Sequence, residues 1–433
     1  MAPKQPTEVT LMVDSLSAEG LGEAQHNERP MQIRNALPGE QVVARILKKR
    51  RGVRFADGVA VLGQSHSQRV IPACSYFPRC GGCNLHHLDY RAGLELKHQQ
   101  LVRALEDTGI KVGEWQPPVS TGQLHYRRKA RLGVRKLGDD VLVGFRESFS
   151  TRVSKIDICQ ILTNDISKLI KPLKRILGEL SVADRIPQIE VAQGDDRLVL
   201  ILRHLAPLLS EDLATLSRFA QQHEVQVLSQ PGGYDSVVTL TGEAPPKLHY
   251  QLPEFRLTMQ FDPRQFTQVN AAMNERLVSR AMACLAPRAG ETIADLFCGI
   301  GNFSLPIARA GAQVVGFELD PSAIEQAAYN SRANDLTARA RFTVHDLYRA
   351  PLPLEPVSAM LLDPPRSGAG PQLGQWVAQP ALERLVYVSC NPVSFAADAH
   401  TLMQAGFKLS EAGVYDMFPY TAHVETLGYF VRA

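Results

Sequence analysis

The chain of 433 residues has no apolar run long enough to span a membrane, and its first ten residues, MAPKQPTEVT, hold no apolar signal core. Internal repeats and low-complexity tracts are also missing. These absences lead us to expect a cytoplasmic protein with no membrane contact. Cysteine is scarce: the count of seven is odd and unevenly spread, which suits a reducing compartment where thiols serve metals or chemistry. Hydrophobic residues at 45% and charged residues at 21% are ordinary for a soluble chain of two or three domains. No obligate protein partner is evident, and a monomer is expected.

Acids are absent from two stretches where bases crowd. RILKKRRGVR (45–54) carries Arg45, Lys48, Lys49, Arg50, Arg51 and Arg54. HYRRKARLGVRK (125–136) carries Arg127, Arg128, Lys129, Arg131, Arg135 and Lys136. One such run is usually a solvated face. Two of them, the second interleaved with Tyr126 and apolar residues, fit a phosphate backbone better.

The short apolar runs VTLMV, MQIR, QVVARIL and GVAVL, divided by Gly, Pro and Asp turns, predict a small β-barrel over 1–70. Residues 71–92 are turn-rich and hold three cysteines. GLELKHQQLVRALEDTG has helical spacing and a stop at Gly109. Residues 125–262 read as mixed, and from 263 onward strands alternate with helices. The expected fold class is α/β: the barrel, a mixed α+β central domain, and a doubly wound, Rossmann-like C-terminal domain.

ETIADLFCGIGNFSLPIARAGAQVVGFELD (291–320) is the most informative window. A strand, Thr292 to Leu296, runs into the turn Gly299-Ile300-Gly301-Asn302; a helix follows from about Phe303, and a second strand, Val314 to Phe317, ends in Glu318. Glycines admit a ligand close to the backbone, and an acid ending the second strand can bind ribose hydroxyls. Ser304 replaces the third glycine of a dinucleotide fingerprint, and Asp295 precedes the turn, as in S-adenosylmethionine-dependent methyltransferases. Further on, the strand Ala359 to Leu362 ends in Asp363-Pro364-Pro365-Arg366, and prolines hold Asp363 at the strand tip.

LVYVSCNPVS (385–394) puts one thiol, Cys390, where another apolar run stops. Asp295, Glu318, Asp363 and Cys390 all lie at or just past the C-terminal ends of apolar runs, and in a parallel sheet those ends share one ligand-binding edge. If the last strand, about Thr426 to Val431, is antiparallel, Glu425 begins at that same edge. His423, two residues earlier, projects to the same side.

FTQVN (266–270), DLFCGIGNFSLP, LLDPPRSG, VSCNP and HVETLGYF together resemble the RNA uracil-C5 methyltransferase family. The chemistry agrees. C5 of uracil is a poor nucleophile until a thiolate adds to C6, and the C5 proton must then leave before the thiolate does. The resemblance makes Cys390 the nucleophile and Glu425 the base, with His423 the rival base on position alone. It assigns Gln265, Phe297, Asn302, Glu318, Asp346 and Asp363 to the S-adenosyl-L-methionine pocket, although the family often has Asn where this chain has Asp346. Such a nucleophile calls for a well-populated thiolate, with Arg366 a candidate neighbour. Cys284 and Cys298 read as packing residues.

Cys74, Cys80 and Cys83, with the remote Cys159, can supply four metal ligands. Spacing alone leaves zinc and an iron–sulfur cluster open; the resemblance implies a 4Fe-4S cluster. It also implies that the barrel is a TRAM RNA-binding module and that 93–124 packs with 263–433 as the methyltransferase domain. The central domain is then 71–92 with 125–262. The family branch that has all three parts modifies one uridine of 23S rRNA, which would have to leave its stack to be reached. Rival readings are a uracil-C5 methyltransferase acting on tRNA or another rRNA position, an amino-group methyltransferase, and a non-catalytic iron–sulfur RNA-binding assembly factor.

Overall fold

The structure is a computed structural model and describes residues 7–353 and 355–433. It is an α/β fold with mixed sheets. The first sheet takes the segments Glu8–Met12, Gln41–Arg50, Val53–Leu62, Arg29–Arg34, Gly22–His26 and Ser15–Leu16 in that spatial order. Along Gln41–Arg50, Val42 and Ala44 are buried while Gln41 and Arg45 face solvent, the period of two that makes one face a core. The first basic run forms the tip of this hairpin. Arg51 and Gly52 turn it with positive φ, and Lys49, Arg50 and Arg51 are exposed. Lys48 lies over the rings of Phe55 and Phe149, at 5.6 and 5.2 Å.

The second sheet runs Val238–Thr239, Gln226–Gln230, Leu198–Arg203, Gln188–Gln193, Lys129–Leu137, Asp140–Gly144. The helix Asn164–Gly178 buries Ile166, Ile170, Leu173 and Leu177 in the core formed with it. Here the second basic run departs from its expected role. Arg128 pairs with Asp195, Arg131 with Glu190, and Lys129 donates to the carbonyl of Gln265. These three side chains are engaged within the protein, while Arg135 and Lys136 remain exposed.

The third sheet has eight strands, in the order 340–344, 313–318, 292–296, 359–362, 384–389, 425–432, 407–415 and 114–115. The first five are mutually parallel, and Glu425–Arg432 runs antiparallel to both its neighbours. Every residue of Arg384–Ser389 is buried, as expected of an inner strand covered on both faces. Truncating Leu385, fully buried there, to Ala would cost about 2–5 kcal/mol. The helix Tyr90–Glu106 starts at Asp89, whose carboxylate caps Arg91 and Ala92, and adds Leu101 and Leu105 to this sheet's core. No helix among the described residues is long and apolar enough to cross a membrane.

Candidate active site

The parallel strands deliver their C-terminal ends to one edge, and the loops there shape a crease. After Thr292–Leu296 the chain turns through Phe297, Gly299 and Gly301, with φ of 65°, 53° and 91°. A left-handed phenylalanine is strained and persists only where its surroundings fix it; the Phe297 ring packs edge-on against Trp376 and Tyr348. No atom lies within 4 Å of where a Gly299 Cβ would stand, so the turn is open on that side. The following helix is Ser304–Arg309, one residue later than the sequence suggests.

Carboxylates crowd this edge. Glu318 accepts from the backbone N–H groups of Gly299, Leu319 and Asp320, which ties the turn to the second strand. Asp295 is fully buried and accepts from the Ser304 hydroxyl, while its other oxygen has no partner. Burial above all pushes Asp295 up to about 7, with Asp363 and Glu318 adding repulsion. Asp363 is also raised to about 7, by burial first and then by Glu318. An orphaned buried oxygen in a line of unneutralised acids suits a cationic ligand.

The other expected pocket residues take different places. Gln265 is buried and bridges the backbone, donating to the Ser322 carbonyl and accepting from Asp262 N–H. The Asn302 amide is held by Asn274 and Tyr250, leaving its backbone to face the turn. Asp346 caps Tyr348 N–H and lies 3.8 Å from the Arg349 guanidinium.

The thiol and the carboxylate meet by register. Ser389 pairs with Thr426 across the antiparallel strands, so Cys390, the next residue of one, stands opposite Glu425, the preceding residue of the other. Glu425 is buried, and burial first, then Asp363, raise its carboxyl well above the usual range. His423 is more exposed and packs near Phe418; burial, then the charges of Arg366, Lys97 and Arg127, hold it below its ordinary value. Cys390 precedes Asn391, whose side chain caps the helix Pro392–Gln404. One expectation reverses here. Burial, then Glu425 and Asp363, push the thiol up to about 11, with Arg366 pulling only partly the other way.

A family model described as tRNA (Uracil-5-)-methyltransferase matches residues 89–350 and 352–433. The chain belongs to this family. The resemblance read from the five motifs is thus borne out. It is 42% identical to a protein of Acidithiobacillus ferrooxidans named 23S rRNA (uracil(1939)-C(5))-methyltransferase RlmD, over 99% of this chain and 98% of that one. Its identity to the Thiobacillus denitrificans protein of the same name is 43%, over 96% and 98%. The crystal structure of Pyrococcus abyssi tRNA (uracil-54, C5)-methyltransferase in complex with S-adenosyl-L-homocysteine shares its fold. The TM-score is 0.74 at 24% identity, covering 98% of this chain and all of the other.

This methyltransferase-family chain has a second thiol site. Cys74, Cys80, Cys83 and Cys159 line one pocket with Tyr76, Phe77, Phe145 and Ile156. They lie near enough that, after burial, the other three thiols push Cys83 upward. The glycines of CGGC are steric necessities. A Cβ on Gly81 would stand 2.5 Å from the Arg146 carbonyl oxygen, and one on Gly82 2.8 Å from the Phe145 ring. Among the described residues, no three or more His, Cys, Asp or Glu side chains form a group that could hold one metal ion. Outside this pocket, Cys284 and Cys298 are buried, and Cys298 fits because Gly316 leaves it room.

Sequence reasoning passed over Lys97. It is buried, donates to Asp416 and to the Phe418 carbonyl, and so anchors the loop that leads to Glu425. Its only signal was a lysine on the apolar side of a helix, at the spacing of Leu101 and Leu105.

Proposed function

We propose that this protein transfers a methyl group from S-adenosyl-L-methionine to C5 of one uridine in 23S rRNA, the nucleotide numbered 1939 in its relatives' names. The observation that carries this is the strand register that sets Cys390 opposite Glu425 beside the acid-lined crease. Whole-length similarity to relatives named for 23S rRNA favours that substrate over tRNA.

S-adenosyl-L-methionine, when bound, supplies an electrophilic methyl on a sulfonium centre. Phe297, Glu318, Asp346 and Asp363 would hold it, with Gln265 and Asn302 shaping the walls. Cys390 Sγ adds to C6 of the uracil, and the C5=C6 electrons become available at C5 for the methyl. Glu425 then takes the C5 proton, the C–H electron pair restores the double bond, and the C6–S bond breaks to return the thiolate. Each group must be ionised at its own step. Within the crease the protein's own burial and charges push both toward their protonated forms, and a neutral Glu425 removes one of the two charges that raise the thiol. Turnover therefore needs ligand binding to draw these protons off, and it rises with pH.

Cys74, Cys80, Cys83 and Cys159, which line one pocket, would hold a 4Fe-4S cluster by their thiolates. Methyl transfer needs no electron carrier, so such a cluster would serve to staple 71–92 to Cys159. The first sheet reads as a TRAM module that presents its basic hairpin to RNA. The test is mass-spectrometric mapping of 5-methyluridine in rRNA from cells lacking this protein, with the gene restored as wild type or as Cys390→Ala. A site lost in the deletion and regained only with the wild type supports the reading; restoration by the variant overturns it.

A further inference from the structure

The loop Asp416–Val424 leads directly into Glu425, and its middle is strained. Tyr420 has a φ of 61°, in the left-handed region that a bulky residue occupies only when its neighbours impose it. Its hydroxyl donates to Gln123 and its ring lies 5.8 Å from that of Tyr90, but its backbone is held by the residues just after Cys83. The backbone N–H groups of Asn84 and Leu85 both donate to the Tyr420 carbonyl, at 3.1 and 3.0 Å. The Asn84 side-chain oxygen accepts from Ala422 N–H at 2.9 Å. The His86 ring stacks on Tyr420, with centroids 4.0 Å apart. Leu85 packs with Ala422 in a small buried cluster.

We infer that Asn84 is a positioning residue for Glu425, and that the segment Asn84–His86 is a clasp that sets where the last strand begins. The inference rests on the assignment of Cys390 and Glu425 above. The clasp grips Tyr420 and Ala422, and three residues beyond Ala422 stands the carboxylate. Cys390 is fixed independently by the inner strand Arg384–Ser389 and the helix after it. Loosening the clasp therefore displaces the base and spares the nucleophile. Because Asn84 follows Cys83, it also ties the thiol pocket mechanically to the site of proton removal.

The test separates the two chemical steps in the full-length protein. Single-turnover reactions with the rRNA substrate are quenched in denaturant, and the covalent protein–RNA adduct is followed on gels. For Asn84→Ala we expect adduct formation within about two-fold of wild type and adduct decay slowed at least ten-fold. Hydrogen exchange should quicken at Ala422 and not in Arg384–Ser389. The Asn84 amide also donates to the Glu19 carbonyl. Asn84→Asp keeps the acceptor for Ala422 N–H but gives up that donor. It should restore decay to within about three-fold of wild type only if the Ala422 contact is what positions the base, and it carries the test if the alanine variant does not fold. Equal slowing of both steps, or unchanged decay in Asn84→Ala, overturns the inference, as does ten-fold slower decay in Asn84→Asp. If no adduct forms even with Glu425→Gln, the covalent reading itself fails instead.

Discussion

Four thiols share one pocket and a fifth stands alone at a strand end, and what surrounds them separates their chemistry. Burial is the largest influence on Cys83, Cys159 and Cys390 alike. Around Cys83 the next influences are other thiols, in a pocket walled by Tyr76, Phe77, Phe145 and Ile156. Around Cys390 they are two carboxylates and an arginine. Thiols repelling thiols are relieved by a shared cation. A thiol facing a raised carboxyl is relieved only by moving protons, which is what a reaction requires.

The largest effect expected is from Cys390→Ala: methyl transfer should fall by more than about 10³-fold while S-adenosyl-L-methionine still binds, seen by single-turnover transfer of labelled methyl and by calorimetry. Residual turnover near wild type would erase the distinction between the two thiol sites. Next is Glu425→Gln, expected to methylate once and then stall as a covalent protein–RNA adduct, with turnover lower by about 10²-fold or more. The same variant sharpens the electrostatic half of the comparison. Glu425 raises the Cys390 thiol, so its removal should shift the pH midpoint of Cys390 alkylation downward from about 11. An upward or absent shift would mean the two groups do not face each other.

Cys83→Ser should abolish iron binding and the accompanying visible absorption and lower thermal stability. Zinc without iron in the wild type would replace the cluster reading. A smaller effect concerns pH. Folding raises Asp295 and Asp363 to about 7, so the stability tied to their protonated forms is complete below the unfolded value near 4 and is lost as pH rises through about 7. Asp295→Asn should flatten that decline in the ligand-free melting temperature. Smallest is the hairpin tip: Arg50→Ala should weaken RNA binding a few-fold and reduce the salt slope by about 1, whereas Arg131→Ala, already paired with Glu190, should leave that slope unchanged.

The ends of the inner strands 359–362 and 384–389 were readable in the sequence because each apolar run stops at polar residues, and a strand buried on both faces has no alternation to confuse its limits. Asp363 and Cys390 stand out for that reason. The antiparallel last strand was inferred from topology, and its register fixed the pairing of Cys390 with Glu425. Contacts between segments far apart in the sequence were not readable. Nothing local to NLHHLD suggests that its backbone holds Tyr420, since a hydrogen bond to a carbonyl leaves no mark on composition. Part of the second charge run was hidden in the same way. Arg128, Lys129 and Arg131 look free in sequence because Asp195, Gln265 and Glu190 lie far along the chain. The thiol was expected to be acidic, but the acids that oppose it come from two other strands.

The reversed direction of the last strand carries an engineering consequence. The register that pairs Ser389 with Thr426 sets Cys390 against Glu425, so the helix Pro392–Gln404 can be relengthened as long as that register and the grip on Tyr420 and Ala422 survive. A single residue inserted between Glu425 and Thr426 would carry the carboxylate one step out of line, onto the opposite side of the sheet. Under the proposed mechanism, such a protein would keep its thiol and every atom of its base and be unable to let go of its RNA.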